Sequence, residues 1–127
     1  MWGGMKTNQV RINIKANISK VFEFTLDPNN TSRWIESITE EKVDTKKIGM
    51  GTIYTNDFGS YTVTDYDRDK FFELTDHKTG YICSYTFKEK DQETEIIYFE
   101  YMENGEDLKD PLDQKSFELL KELLETN

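Results

Sequence analysis

From Ser37 to Glu103 apolar and polar residues alternate with a period of two, interrupted only by short turn-forming clusters. That alternation is the signature of half-buried strands, and connections of a few residues can join only antiparallel neighbours. The predicted strands are Thr39–Asp44, Thr52–Asp57, Tyr61–Tyr66, Phe71–Lys78, Tyr81–Lys88 and Thr94–Glu103. Gly49 and Gly51, Gly59-Ser60, Asp67–Lys70, Thr79-Gly80 and Asp91-Gln92 supply the turns. An earlier strand, Gln9–Lys15, sets Val10, Ile12 and Ile14 against Arg11, Asn13 and Lys15, bringing the sheet to about seven strands.

Helices bracket the strands. Ser19 is the expected N-cap of a short helix over Lys20–Leu26 that buries Val21, Phe22 and Leu26. Asp27 caps a second short helix with Pro28 at its first position, where the missing N–H costs nothing, and this helix ends near Trp34-Ile35. Asp110 and Pro111 repeat the device near the C-terminus. They open a helix of about 22 Å whose Leu112, Phe117, Leu119, Leu120, Leu123 and Leu124 form one apolar stripe. Lys121 and Glu125 are four apart on its other face. This order of elements lacks the alternating crossover helices of a doubly wound sheet, so the fold class is α+β, an antiparallel sheet with its helices on one side. No repeat or linker divides the chain, and residues 1–127 read as one domain with a flexible N-terminus over residues 1–6.

Charge and residue usage exclude several functions. A net charge of −9 opposes phosphate binding, so no nucleic-acid partner is expected, and an anionic membrane surface is disfavoured for the same reason. Cys83 is the only cysteine and His77 the only histidine, which leaves no intrachain disulfide, thiolate cluster or two-histidine metal site. Metal and cofactor are accordingly expected to be absent. No apolar run approaches the roughly 20 residues of a membrane-spanning helix. Met1-Trp2-Gly3-Gly4-Met5 has neither the basic start nor the apolar stretch of a signal peptide; Met5 reads as an alternative start and the cytoplasm as the compartment. Hydrophobic residues make up 35% and aromatic ones 13%, so Phe and Tyr must carry much of the core, and rings with polar tips can line a pocket as well as fill one.

The segment Val21–Trp34, VFEFTLDPNNTSRW, runs an apolar helix into Asp27-Pro28 and then presents Trp34. In this element order it resembles the START/polyketide-cyclase (SRPBCC) helix-grip superfamily, and the resemblance spans Val10 to Glu125. It implies a curved sheet wrapped on the C-terminal helix, with a cavity between them for a small hydrophobic ligand: a lipid, an aromatic or a polyketide-like molecule. Two other functions occur under the same resemblance, a cyclase or dehydratase using that cavity and a co-chaperone-like interaction module. Trp34 is then placed at the cavity mouth, to stack on a ligand or to plug one end of the core.

Strand parity proposes the lining. Phe72 and Leu74 should point inward and leave His77 on the wet face; Tyr81, Cys83, Tyr85 and Phe87 should point inward from the next strand. In Thr94–Glu103 both faces are apolar enough for burial. Turning Ile96, Tyr98, Glu100 and Met102 inward makes Glu100 a buried carboxylate, whose pKa rises if it has no partner. Glu100 with Tyr85 or Tyr98 is then the candidate acid–base pair, and Ile97, Phe99 and Tyr101 become an outer apolar face suited to a homodimer. Tyr54, Tyr61 and Tyr85 offer hydroxyls to orient a polar group. The expected ligand-binding residues are Trp34, Tyr54, Val63, Phe72, Leu74, Cys83, Tyr85, Phe87, Tyr98, Phe117 and Leu120. A nucleophilic role for Cys83 is not expected, because no adjacent cation lowers its pKa. No phosphate loop, dinucleotide fingerprint, GxSxG or HExxH is present.

Overall fold

The computed structural model describes residues 4–126. Its strands are β1 (Thr7–Ile14), β2 (Glu41–Val43), β3 (Ile53–Asn56), β4 (Gly59–Asp67), β5 (Phe71–Asp76), β6 (Tyr81–Lys90) and β7 (Glu93–Met102). Every pairing is antiparallel, and the described residues form one seven-stranded sheet in the order β1-β7-β6-β5-β4-β3-β2. The helices are α1 (Ile18–Leu26), α2 (Pro28–Trp34) and α3 (Gln114–Glu125). Helices α1 and α2 connect the two edge strands β1 and β2, and α3 packs on β1 and α2. The fold is α+β with all three helices on the apolar side of the sheet.

Parity explains which side that is. Val10, Ile12 and Ile14 of β1 are buried while Arg11 and Asn13 are exposed. Ile96, Tyr98 and Glu100 of β7 are at most 1% exposed, whereas Ile97, Phe99 and Tyr101 occupy the opposite face half-buried. Phe22 of α1 seats its ring edge-to-face on Phe72 and Phe87, at centroid separations of 6.0 and 5.0 Å. Phe117, Leu120 and Leu124 of α3 close the core from the other end, but Leu119 is exposed, so the apolar stripe is narrower than its leucine count implies.

Local signals differ from the sequence expectations at three points. Asn17, not Ser19, caps α1 by accepting the Lys20 N–H; the Ser19 hydroxyl instead donates to Asp69 at 2.7 Å. Asp113, not Asp110, caps α3, so that helix starts at Gln114 and the Asp110-Pro111 stretch stays irregular. The turn before β4 is Asp57-Phe58, and Gly59 already pairs with Asn56. A further irregularity lies between Val63 and Asp65, where a bulge leaves Thr64 outside the β4–β5 register. The extra residue breaks simple alternation, so Val63 pairs with Leu74 and Tyr66 with Phe72.

Gly4, Met5 and Lys6 are tied to the segment after β7. The Gly4 N–H and the Lys6 ammonium both bond Asp107, and the Leu108 N–H donates to the Met5 carbonyl at 2.8 Å. Met1, Trp2 and Gly3, the remainder of the expected flexible N-terminus with residues 1–3, lie outside the described residues. No helix among the described residues is long and apolar enough to cross a membrane.

Candidate functional site

The apolar face of the sheet is not filled everywhere. A cavity of about 320 Å³ lies over β3, β4, β5 and β6. Its floor is Tyr54, Tyr61, Phe72, Leu74, Tyr81, Cys83, Tyr85 and Tyr98; its roof is Leu26 and Trp34 with Ile35 and Ile38 just beyond α2. One wall is Leu108, Lys109, Asp110 and Leu112, the irregular strap between β7 and α3. Phe58, 52% exposed, stands at the rim and leaves the cavity open to solvent.

The cavity therefore lies between the sheet, α2 and the strap. Helix α3 does not line it, contrary to the expected position between sheet and C-terminal helix. The reason is where α3 begins. The Leu112 N–H donates to Glu100 at 2.8 Å and the Leu112 carbonyl accepts from Asn8 at 2.6 Å, so this residue is pinned to the sheet in extended form. The helix can start only beyond it, at the Asp113 cap.

Of the residues expected to bind ligand, Trp34, Tyr54, Phe72, Leu74, Cys83, Tyr85 and Tyr98 line the cavity. Val63, Phe87, Phe117 and Leu120 do not: each is at most 3% exposed in packed core away from the void. Phe117 stands behind the lining, its ring 5.2 Å from that of Trp34 and 5.1 Å from that of Tyr98. His77 is exposed on the turn after β5.

Glu100 is fully buried directly behind the cavity wall, and it has partners. Its Oε1 accepts the Tyr81 hydroxyl at 2.5 Å and the Tyr98 hydroxyl at 3.0 Å; its Oε2 accepts from Asn8 at 2.7 Å and from the Leu112 N–H. These four donors occupy the lone pairs of a carboxylate. The condition for an unpartnered acid is not met, and no Tyr85 hydroxyl reaches it. Burial first, with Cys83 and Glu100 adding to it, holds the Tyr81 hydroxyl protonated far above the ordinary phenol range. Burial likewise pushes the Cys83 thiol up to about 12, so it is a poor nucleophile.

Two carboxylates that parity reasoning had not singled out also face the cavity. Asp76 shares its strand face with Phe72 and Leu74, so the alternation that selected those two extends to it. Glu41 had no such signal, because a three-residue edge strand carries too few residues to show a period. Burial raises the Glu41 pKa, opposed by hydrogen bonds from Thr31 and Asn56. Tyr61 is pushed up to about 12 by burial and then by Asp76, with Glu41 contributing.

Several polar groups in the wall lack partners. The Trp34 indole N–H is buried without an acceptor, on a side chain 2% exposed. Among the described residues, no hydrogen bond engages the hydroxyl of Tyr85, a residue 6% exposed. The Tyr54 hydroxyl, by contrast, is satisfied by the Leu26 carbonyl at 2.7 Å. Among the described residues no three His, Cys, Asp or Glu side chains are grouped to hold a metal ion.

No protein-family model matches the sequence, and no curated protein does. Solved structures do match in shape. A conserved protein of unknown function from Enterococcus faecalis is similar with a TM-score of 0.71 at 16% identity, over 94% of this chain and 71% of its own. Ara h 8.0201 is similar with a TM-score of 0.63 at 12% identity, over 95% and 98% of the two chains. The Aha1 dimer from Colwellia psychrerythraea gives 0.58 at 14% identity, over 95% and 97%. Identities this low speak for architecture alone. A seven-stranded antiparallel sheet carrying two short helices and a C-terminal helix on one face, shared with these structures, is a helix-grip fold, and that is the fold of this chain.

Proposed function

We propose that the protein binds a small, largely apolar molecule in the cavity beneath Trp34. The observation that carries this is an open, aromatic-lined void of about 320 Å³ beside a core of stacked and edge-to-face rings. Ligand pockets start at about that volume and are lined mainly by aromatic and aliphatic side chains with a few polar groups. Helix-grip neighbours such as Ara h 8.0201 support the reading at the level of architecture. The cyclase or dehydratase alternative needs an acid–base group free to reach a substrate. Glu100, its candidate, spends its oxygens on four protein donors.

Native mass spectrometry of gently purified protein tests this directly. An adduct of a few hundred daltons, lost on denaturation and reduced in Trp34→Ala, is the expected result. A bare chain mass that also fails to take up any of the naphthyl probes described below would overturn the proposal.

A further inference from the structure

Of the three carboxylates that line this cavity, Asp76 and Glu41 are withdrawn from the surface, and neither has a cation. Asp76 is 7% exposed; its Oδ1 accepts the backbone N–H groups of Lys78 and Thr79, at 2.9 and 3.3 Å, and its Oδ2 takes no hydrogen bond. Gly59 leaves that second oxygen uncrowded: a Cβ there would meet only Asp76 Oδ2, at 3.5 Å. Glu41 is bonded to two neutral donors, the Thr31 hydroxyl at 2.6 Å and the Asn56 amide at 2.9 Å. No ion pair among the described residues includes either carboxylate. Lys109 is the only basic residue in the lining, and it is exposed beside Asp110.

The two carboxylates border the same end of the cavity, Asp76 beside Gly59 and Glu41 in the cross-strand row that Gly59 belongs to. Glu41 pairs with Asn56 across β2–β3, Asn56 with Gly59 across β3–β4, and Asp76 with Tyr81 across β5–β6. The Tyr61 and Tyr81 rings meet edge-to-face at 5.9 Å over this corner, and the Tyr61 hydroxyl feels both charges.

We infer that the occupant is an organic cation, a protonated amine on an apolar body, with its ammonium at the end of the cavity that Asp76 and Glu41 border and its body under Trp34. This rests on the small-molecule reading of the cavity and adds the sign of the ligand. A carboxylate withdrawn from water without a cation is costly, and a ligand ammonium within a few ångströms supplies what the chain omits. The faces of Tyr61 and Tyr81 favour the same charge. A carboxylate ligand would meet Asp76, Glu41 and Asp110 inside a chain of net charge −9. The Tyr85 hydroxyl, which lines the cavity and takes no hydrogen bond among the described residues, is an independent sign that a polar ligand atom belongs here.

Calorimetric titration with three probes that share one body provides the test: 2-(1-naphthyl)ethylamine, 2-(1-naphthyl)ethanol and 1-naphthylacetic acid. The amine is expected to bind tighter than the alcohol by about tenfold or more, as for one hydrogen bond to a charged group, and the acid weakest. Asp76→Asn and Glu41→Gln, which keep an acceptor oxygen, should bring the amine down toward the alcohol, the amine losing several-fold more than the alcohol does. An amine that binds no better than the alcohol, or an acid that binds best, overturns the cation while the cavity reading stands. Binding of none of the three overturns both.

Discussion

Glu100 shows how one residue can be buried, polar and structural at once. Its carboxylate joins β1 through Asn8, β6 through Tyr81, β7 through Tyr98 and the pre-α3 strap through Leu112. Glu100→Leu would leave the Asn8 amide and the Leu112 N–H without their acceptor. Unmet buried donors cost about 1–3 kcal/mol each, so a loss of roughly 2–4 kcal/mol is expected in urea unfolding; an unchanged midpoint would refute the clamp. Parity alone placed Glu100 on a face with Ile96 and Tyr98. Its partners were illegible, because Asn8 lies 92 positions away. Glu41 makes a prediction of definite sign. Burial raises its pKa, so the fold penalises its charged form relative to the unfolded chain. The stability it contributes is complete below the ordinary value of 4.5 and is lost as pH rises through the raised folded value. Asp57, Asp107 and Glu125 act the other way, held low chiefly by side-chain bonds from Thr39, Lys6 and Lys121. The difference between the protein and Glu41→Gln isolates the effect. On going from pH 7 to 4 the unmodified protein should gain stability relative to the variant, and a pH-independent gap would contradict this.

Among the elements, the helix starts separate local from tertiary information. Asp110-Pro111 and Asp113 both offer a cap, and the chain uses Asp113, whose side chain accepts the Ser116 N–H at 3.0 Å. Asp113→Ala should cost about 1 kcal/mol, the usual loss of an N-cap, whereas Asp110→Ala should leave thermal stability nearly unchanged. Equal effects would restore the longer helix. At α1 the same competition went to Asn17 because the Ser19 hydroxyl is engaged by Asp69, 50 residues on. Asp27-Pro28, by contrast, is capped as its sequence implies, with the Asn29 N–H on Asp27 at 2.9 Å. There the local signal has no competitor. The bulge in β4 leaves a local trace, because two polar residues, Thr64 and Asp65, fall between Val63 and Tyr66, but only pairing with β5 shows Thr64 to be extra.

For the molecule as a whole, the net charge of −9 should act on binding at a distance. Raising ionic strength from about 0.01 to 0.15 M shortens the screening length from about 30 to 8 Å, which should weaken the naphthylethylamine several-fold and spare the alcohol. Equal salt response for both probes would remove the electrostatic contribution. The element order, antiparallel pairing, α+β class and inward faces of β1 and β6 were legible in the chain, because each follows from periodicity and from short connections, both local properties. Strand β7, apolar on both faces, had its inward face decided by the fold. The helix-grip resemblance of Val21–Trp34 likewise led to the fold that the structure has. The cavity's walls were not legible. They depend on where α3 starts, on the strap that Glu100 and Asn8 hold to the sheet, and on Asp76 and Glu41 coming to line one cavity from different strands. Such contacts are set by the register and by competition among distant donors, and those exist only once the sheet has formed.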